Sequence, residues 1–306
     1  MKTIQLGTSG LKVPTIAIGC MRLNGLSESE AEVFLRTAID LGANFFDHAD
    51  IYGKGECEKL FAKAIGMNSA VREKIILQSK CGIRSGIGYD FSKEYILESV
   101  DGILDRLNTD YLDVLLLHRP DALMEPQEVA EAFAALHQSG KVRHFGVSNH
   151  SPLQIQLLQK AVKQPLIVNQ LQLSIAHASM ITQGLHVNVD DEGALSRDGG
   201  VLDFCRLNDI TIQPWSPFQY GFFQGTFLGS DKYPKLNEVL DTIAAKYQST
   251  NTAIALAWLL RHPAKFQPVI GTTNRQRLKE CVSAADLYLT REEWYRIYKA
   301  AGNTLP

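Results

Sequence analysis

What most constrains this chain is a rhythm: short apolar runs alternate with amphipathic helical patterns at a spacing of roughly 30 residues, as strand-helix units do. The runs lie at 15–19, 44–47, 74–79, 111–117, 142–147, 166–171, 210–214 and 268–270. After the first, Ser27 and Glu30 form a capping box. Ala31, Phe34, Leu35 and Ala38 follow at helical spacing, and Gly42 stops the helix. A short helix is expected at 57–65. Ser92 caps a helix with Ile96, Val100, Ile103, Leu104 and Leu107 on one face. Pro126 opens the next, with Val129, Phe133 and Leu136 inward and Gly140 at its end, and Ser151-Pro152 starts another.

The rhythm lengthens after the sixth run. A segment rich in Gly, Asp, Asn and Ser beyond His186 precedes a short helix at 201–207, and insertions of that length are usually functional or mobile. Helices at 236–247 and 252–261 precede the eighth run, and one at 275–284 follows it. Thr290 and Glu293 cap a last helix carrying Trp294, Ile297, Tyr298 and Ala301. Residues 1–14 read as a hairpin around Thr8-Ser9-Gly10.

Eight such repeats imply a parallel sheet with right-handed crossovers, closed into a (β/α)8 TIM barrel. The N-terminal hairpin and the extra helices after strand seven and at the C-terminus are additions to it, and 1–306 is expected to be one domain. An open doubly wound sheet is the rival. It would want Gly-x-Gly-x-x-Gly after the first strand, and the nearest run, Gly82 to Gly88, has the wrong spacing. In a closed barrel, residues at the C-terminal ends of different strands meet at one mouth.

Four side chains at such ends carry chemistry: Asp47 and Tyr52 after the second run, Lys80 after the third and His118 after the fourth. A tyrosine is a poor acid at neutral pH, and a nearby ammonium is expected to lower its pKa by stabilising phenolate. Lys80 would supply that cation, Asp47 would hold it charged, and a neutral His118 could donate a hydrogen bond to a carbonyl oxygen. The set suits a reaction in which an alkoxide forms and takes up a proton, such as carbonyl reduction by hydride. Blander readings stand beside it, with Asp47 and Lys80 as a structural ion pair, His118 as a core histidine and Trp215 as core. His48 and Asp50 read as loop-shaping residues, and His144, His150 and His177 as loop residues without ligand spacing.

Composition narrows the partners. A net charge of -2 from 31 basic and 33 acidic residues, without long runs of one sign, argues against nucleic acid or an anionic membrane. No stretch approaches the ~18 apolar residues of a membrane span, and the N-terminus lacks a signal peptide's apolar core, so a cytoplasmic protein is expected. Five cysteines without a C-x-x-C pair suggest reduced thiols, with core packing the expected role even of Cys20 and Cys81 near strand ends.

The chain resembles the aldo-keto reductases, especially their bacterial oxidoreductase branch, over nearly its whole length. The motifs are Asp-x-Ala-x-x-Tyr-Gly at 47–53, Ser79-Lys80, Tyr-Leu-Asp-x-x-x-x-His at 111–118, Gly-Val-Ser-Asn at 146–149 and Asn169-Gln170. The resemblance implies a nicotinamide-dependent reductase of small carbonyl compounds with Tyr52 as general acid, Lys80 tuning it, Asp47 supporting the lysine and touching the nicotinamide ribose, and His118 orienting the carbonyl. It further implies that Ser148, Asn149 and Gln170 hold the carboxamide and that the ring stacks on Trp215, where many members carry tyrosine. Ser216, Pro217 and Phe218 would line the pyrophosphate, with Gly19 and Met21 completing that side.

The region Gly271, Thr272, Thr273, Asn274 and Arg277, followed by Glu280, matches where members grip an adenosine 2′-phosphate. NADPH is therefore expected over NADH, since hydroxyls, a helix N-terminus and a guanidinium all favour bound phosphate. The lysine that some members place beside this turn is absent, and Cys281 stands where an asparagine often faces adenine. Loops 21–26, 82–89, 177–197 and 218–233 are expected over the mouth, and with little chain after the last helix the site should be open and take several small aldehydes or ketones. Two other functions share the pattern: a cofactor-sensing regulatory subunit of the same fold, and a metal-dependent barrel hydrolase using Asp47, His48, Asp50 and His118. No metal is expected for the reductase.

Overall fold

The computed structural model describes residues 1–306. The hairpin is β1 (Thr3–Gln5) against β2 (Lys12–Pro14). The repeats begin with β3 (Ala17–Gly19), α1 (Glu28–Asp40), β4 (Phe45–Asp47), α2 (Glu56–Ile65) and the one-turn α3 (Ser69–Arg72). Next come β5 (Ile76–Cys81), a small ribbon of β6 (Ile83–Arg84) and β7 (Gly88–Tyr89), and α4 (Lys93–Leu107). They continue through β8 (Leu112–Leu117), α5 (Pro126–Gln138), β9 (Val142–Ser148), α6 (Pro152–Gln159), β10 (Leu166–Gln172), α7 (Ser179–Leu185), α8 (Val201–Leu207) and β11 (Thr211–Trp215). The chain ends with α9 (Pro234–Lys246), α10 (Asn251–Leu260), β12 (Val269–Ile270), α11 (Arg275–Ser283) and α12 (Arg291–Ala300).

β3, β4, β5, β8, β9, β10, β11 and β12 close in that order into an all-parallel barrel, the architecture the rhythm implied. Local chemistry sets the helix starts. Ser27 with Glu30, Ser151 with Gln154 and Thr290 with Glu293 each complete a reciprocal capping box, so two otherwise orphan amides are satisfied at each N-terminus. α10 is buried along Thr252–Leu259 on all sides, because α9, α11 and α12 lie around it. Against α12 it forms a stacked tryptophan pair, Trp258 on Trp294 at 4.7 Å, each indole N–H donating to the other residue's carbonyl. No helix is long and apolar enough to cross a membrane.

Two details differ from the sequence expectation. β5 runs through Lys80 to Cys81 because Lys80 and Cys81 pair with Leu116 and Leu117 of β8, so Lys80 lies inside the strand and not beyond it. The polar segment after β10 holds α7, which no cap announces. It is fixed from outside, by burial of Met180 and Ile181 and by a 2.8 Å hydrogen bond between Thr182 and the Tyr298 hydroxyl.

The barrel interior is layered. At the bottom the hairpin plugs the cylinder, its Leu6 and Val13 joining Ala17, Phe45, Val114, Leu116, Ile167, Val168 and Val269 in a separate apolar cluster. Gly7 makes that approach possible: a Cβ there would stand 2.5 Å from the Ile167 carbonyl oxygen, and φ is +49°. A larger apolar core fills the space between the barrel and the helices and contains Cys20, Cys81, Cys205 and Cys281; these and Cys57 are all buried free thiols.

Candidate active site

Asp47 ends β4, Tyr52 opens the short helical turn that follows, Lys80 lies in β5 and His118 directly follows β8. Barrel closure brings all four together. The Lys80 ammonium donates to both Asp47 carboxylate oxygens at 2.8 Å, to the His48 carbonyl at 2.7 Å and to the Tyr52 hydroxyl oxygen at 3.3 Å. The Tyr52 and His118 rings meet edge to face at 6.0 Å. Because the ammonium donates to the phenol oxygen, the phenol proton is free to point elsewhere.

Burial, the largest influence, raises the Tyr52 phenol above its ordinary pKa, and the Lys80 ammonium opposes it only in part. The expectation that the ammonium would lower this pKa is thus corrected: desolvation of a buried phenolate outweighs one neighbouring cation. Burial, the largest influence, works against the Lys80 charge, but Asp47 and Tyr52 together more than offset it and the ammonium is held above its ordinary value. Burial, then the charges of Lys80 and Arg119, pushes His118 well below the usual imidazole range, so its ring is neutral. Its Nδ1 is buried without a partner.

Beneath the four lies an amide layer of which sequence reasoning had named Gln170 alone. Gln267 donates to the Pro14 carbonyl at 2.8 Å, which leaves its side-chain oxygen to accept from Gln213 at 2.8 Å. The Gln213 oxygen in turn accepts from Gln78 at 2.8 Å and Gln170 at 3.0 Å. Both amides then spend their second N–H on the same Asp47 oxygen, at 2.6 and 3.0 Å. A carbonyl can only accept, so the polarity of the whole chain follows from Pro14. A signal existed: Gln78 stands two residues before Lys80 and Gln213 two before Trp215, polar positions on the inward face of otherwise apolar strands.

Above them opens a cavity of about 1380 Å³, beyond the ~300–1,000 Å³ common for small-molecule sites. Of the residues expected from sequence, Gly19, Met21, Asp47, Tyr52, His118, Ser148, Asn149, Gln170, Trp215, Ser216, Pro217, Phe218, Gly271, Thr272 and Arg277 line it. Lys80 does not, being wholly buried behind Asp47 and Tyr52, and neither Thr273 nor Glu280 reaches the wall. Asn149 and Ser216, each just past the end of a barrel strand, hold left-handed φ values of 61° and 52°, uncommon for side-chain-bearing residues. The Ser148 hydroxyl donates to the Gln170 carbonyl and accepts from Asn149, whose amide oxygen takes the Trp215 indole N–H at 3.1 Å. Trp215 is half-buried at the rim rather than core, with Phe223 stacked at 6.1 Å and Phe222 edge-on at 5.9 Å.

Three expectations fail here. Segment 177–197 contributes nothing to the cavity, because His186 binds Asp191 and the Thr304 carbonyl while Gln183 binds Asp198, tying the loop down elsewhere. His48 does not shape a loop; it is fully buried, packed edge-on to Phe61 at 4.5 Å with neither ring nitrogen hydrogen-bonded, and burial takes its pKa down to about 3. The hydrolase alternative lacks a ligand set, since no group of three or more His, Cys, Asp or Glu side chains is placed to hold a metal ion. Arg22, Ile83, Tyr89, Phe222 and Phe223 line the cavity from loops 21–26, 82–89 and 218–233, which were expected over the mouth, while Ile51 and Arg119 line it without having been singled out. They sit two to eight residues past the ends of barrel strands, where sequence shows position but not direction.

The model of the Aldo/keto reductase family matches residues 15–301. An uncharacterized oxidoreductase, YcsN, of Bacillus subtilis (strain 168) is 36% identical, covering 98% of this chain and 98% of its own. A 6-dehydroglucose reductase of Novosphingobium aromaticivorans is 33% identical over 99% of this chain and 96% of that protein. Among solved structures, a thermostable aldo-keto reductase in complex with the inhibitor epalrestat superposes with a TM-score of 0.78 at 26% identity, covering 98% of this chain and all of that one.

Proposed function

This chain belongs to the aldo/keto reductase family, NAD(P)H-dependent oxidoreductases of small carbonyl compounds, and on that premise we propose that it reduces aldehydes or ketones with NADPH, using Tyr52 as the proton donor. Bound nicotinamide would supply the hydride. Tyr52 hands its proton to the carbonyl oxygen as negative charge develops there, and Lys80, donating to the phenol oxygen, stabilises what remains. The neutral His118 ring offers an N–H to the same carbonyl oxygen and fixes its approach. Asp47, bidentate on Lys80, keeps the ammonium in place.

The donor set suits a dinucleotide. With both N–H groups of Gln170 engaged, its oxygen alone is left for an amide N–H, and Ser148, Asn149 and the Trp215 face stand beside it. Gly271 leaves open space where a Cβ would find nothing within 4 Å, and Thr272 and Arg277 flank the start of α11, favourable for a 2′-phosphate. We take 1–306 as one domain carrying this activity.

The observation that carries the proposal is the 3.3 Å contact of Lys80 with a phenol whose proton remains available. Tyr52→Phe should lower NADPH oxidation with a reactive aldehyde by about 10²- to 10⁴-fold while leaving NADPH binding intact. Full activity in that variant would overturn the assignment. A lower Michaelis constant for NADH than for NADPH would reverse the cofactor preference. A chelator should change nothing, and a wild-type protein inert across a broad aldehyde panel would point to the regulatory-subunit alternative.

A further inference from the structure

We propose that Arg119 is an anion receptor within the substrate pocket and that the substrates are carbonyl compounds carrying a carboxylate or phosphate near the reacting group. This rests on the reductase assignment, for it uses the same cavity.

The charged residues lining the cavity are Arg22, Asp47, Arg119 and Arg277, three guanidiniums against one carboxylate. That carboxylate is not available to any of them, because both its oxygens accept from Lys80. Arg277 lies on α11 beside Thr272, at the end proposed for the cofactor phosphate. Arg119 lies at the other end, one residue after His118. Its half-buried guanidinium faces ring systems only, 5.7 Å from the centroids of both Trp215 and Phe222, and neither an ion pair nor a hydrogen bond engages it. The nearest acid in sequence, Asp121, accepts from the backbone amides of Phe91 and Leu123 at 2.9 Å each.

Ile51, Ile83 and Phe223 line the same cavity and add apolar surface to that of Trp215 and Phe222. A half-buried guanidinium that faces the cavity over two aromatic rings, with no protein counter-ion, has a ligand anion as its natural complement. Its planar fork matches two oxygens of a carboxylate or phosphate at once. Because Arg119 adjoins the residue proposed to orient the carbonyl, the anion and the reacting group must belong to one small molecule.

The test compares kcat/KM for 4-oxobutanoate with butanal, and for glyceraldehyde 3-phosphate with glyceraldehyde, in wild type, Arg119→Met and Arg119→Lys. A charge-assisted hydrogen bond predicts a preference for the anionic member of at least one pair by about 10- to 100-fold. The ratio should collapse toward unity in Arg119→Met and be intermediate in Arg119→Lys, whereas a folding defect would lower both members of a pair alike. The pair with the larger ratio identifies the anion. Equal rates within both pairs, or ratios unchanged in Arg119→Met, would overturn the proposal and leave the reductase assignment standing. A second readout separates the two claims: tryptophan fluorescence, sensitive here through Trp215, should report saturable binding of 4-hydroxybutanoate to wild type and not to Arg119→Met. Such binding without any aldehyde turnover would retain the anion site and remove the reductase; absence of both removes both.

Discussion

At the scale of single residues, the site depends on which ionisable groups keep their protons. Tyr52 is held above the ordinary phenol value and His118 well below the ordinary imidazole value. The proposed proton donor is therefore present through neutral pH and is lost only as pH rises past its raised pKa, while His118 stays neutral on both sides of its usual range. The reduction rate should be flat from about pH 5.5 to 9, measured as kcat/KM for a neutral aldehyde; a limb near 6.5 would show His118 titrating as an ordinary imidazole. His48 gives a stability prediction of definite sign. Its folded pKa of about 3 lies below the ordinary value, so its contribution is intact above that ordinary value and is lost as pH falls toward 3, the unfolded chain taking the proton first. Between pH 7 and 5 this amounts to about 2 kcal/mol by linkage, a loss that urea titrations of His48→Leu should not show. That Asp47, Tyr52, Lys80 and His118 form one group was legible from their places at strand ends. The direction of the Tyr52 shift was not, since it turns on how much water folding removes.

At the scale of elements, the helices that announce themselves are those whose ends carry their own hydrogen-bond partners. Ser27, Ser92, Ser151 and Thr290 all accept from the amide three residues on, as their positions before apolar-periodic stretches implied. α7 has no such cap and owes its existence to Tyr298 and to the burial of Met180 and Ile181, so local pattern could not reveal it. The cap of α12 is also tied to α9, because Glu293 accepts from Lys246 and from the Tyr247 hydroxyl just past that helix. Thr290→Ala should cost about 1 kcal/mol, near the middle of measured N-cap losses, and lower the melting temperature by about 1.5 °C in a chain of 306 residues. Turnover should not change, as α12 contributes nothing to the cavity; a loss of activity at unchanged stability would mean that α12 reaches the site by a route the contacts do not show.

At the scale of the whole molecule, a line of amides runs from the hairpin floor to the carboxylate at the mouth: Pro14, Gln267, Gln213, then Gln78 and Gln170 together, then Asp47. Gln213 is its junction and touches neither cavity nor solvent. Gln213→Leu removes the acceptor that orients both neighbouring amides, so Asp47 and with it Lys80 lose their fixed position. The rate constant kcat should fall about 10- to 100-fold, in line with small misplacements of a reacting group, while the dissociation constant for NADPH barely moves. Equal losses in both would mean a general collapse instead of a positioning effect. The sequence by itself determined the barrel and the grouping of Asp47, Tyr52, Lys80 and His118, because apolar periodicity and capping are local and strand ends in a closed barrel share one mouth. Only the tertiary structure decided which way Gln78, Gln213 and Arg119 face, that segment 177–197 lies away from the site, and that burial outweighs Lys80 at Tyr52. Each of these depends on distances between residues far apart in the chain, which one-dimensional spacing does not contain.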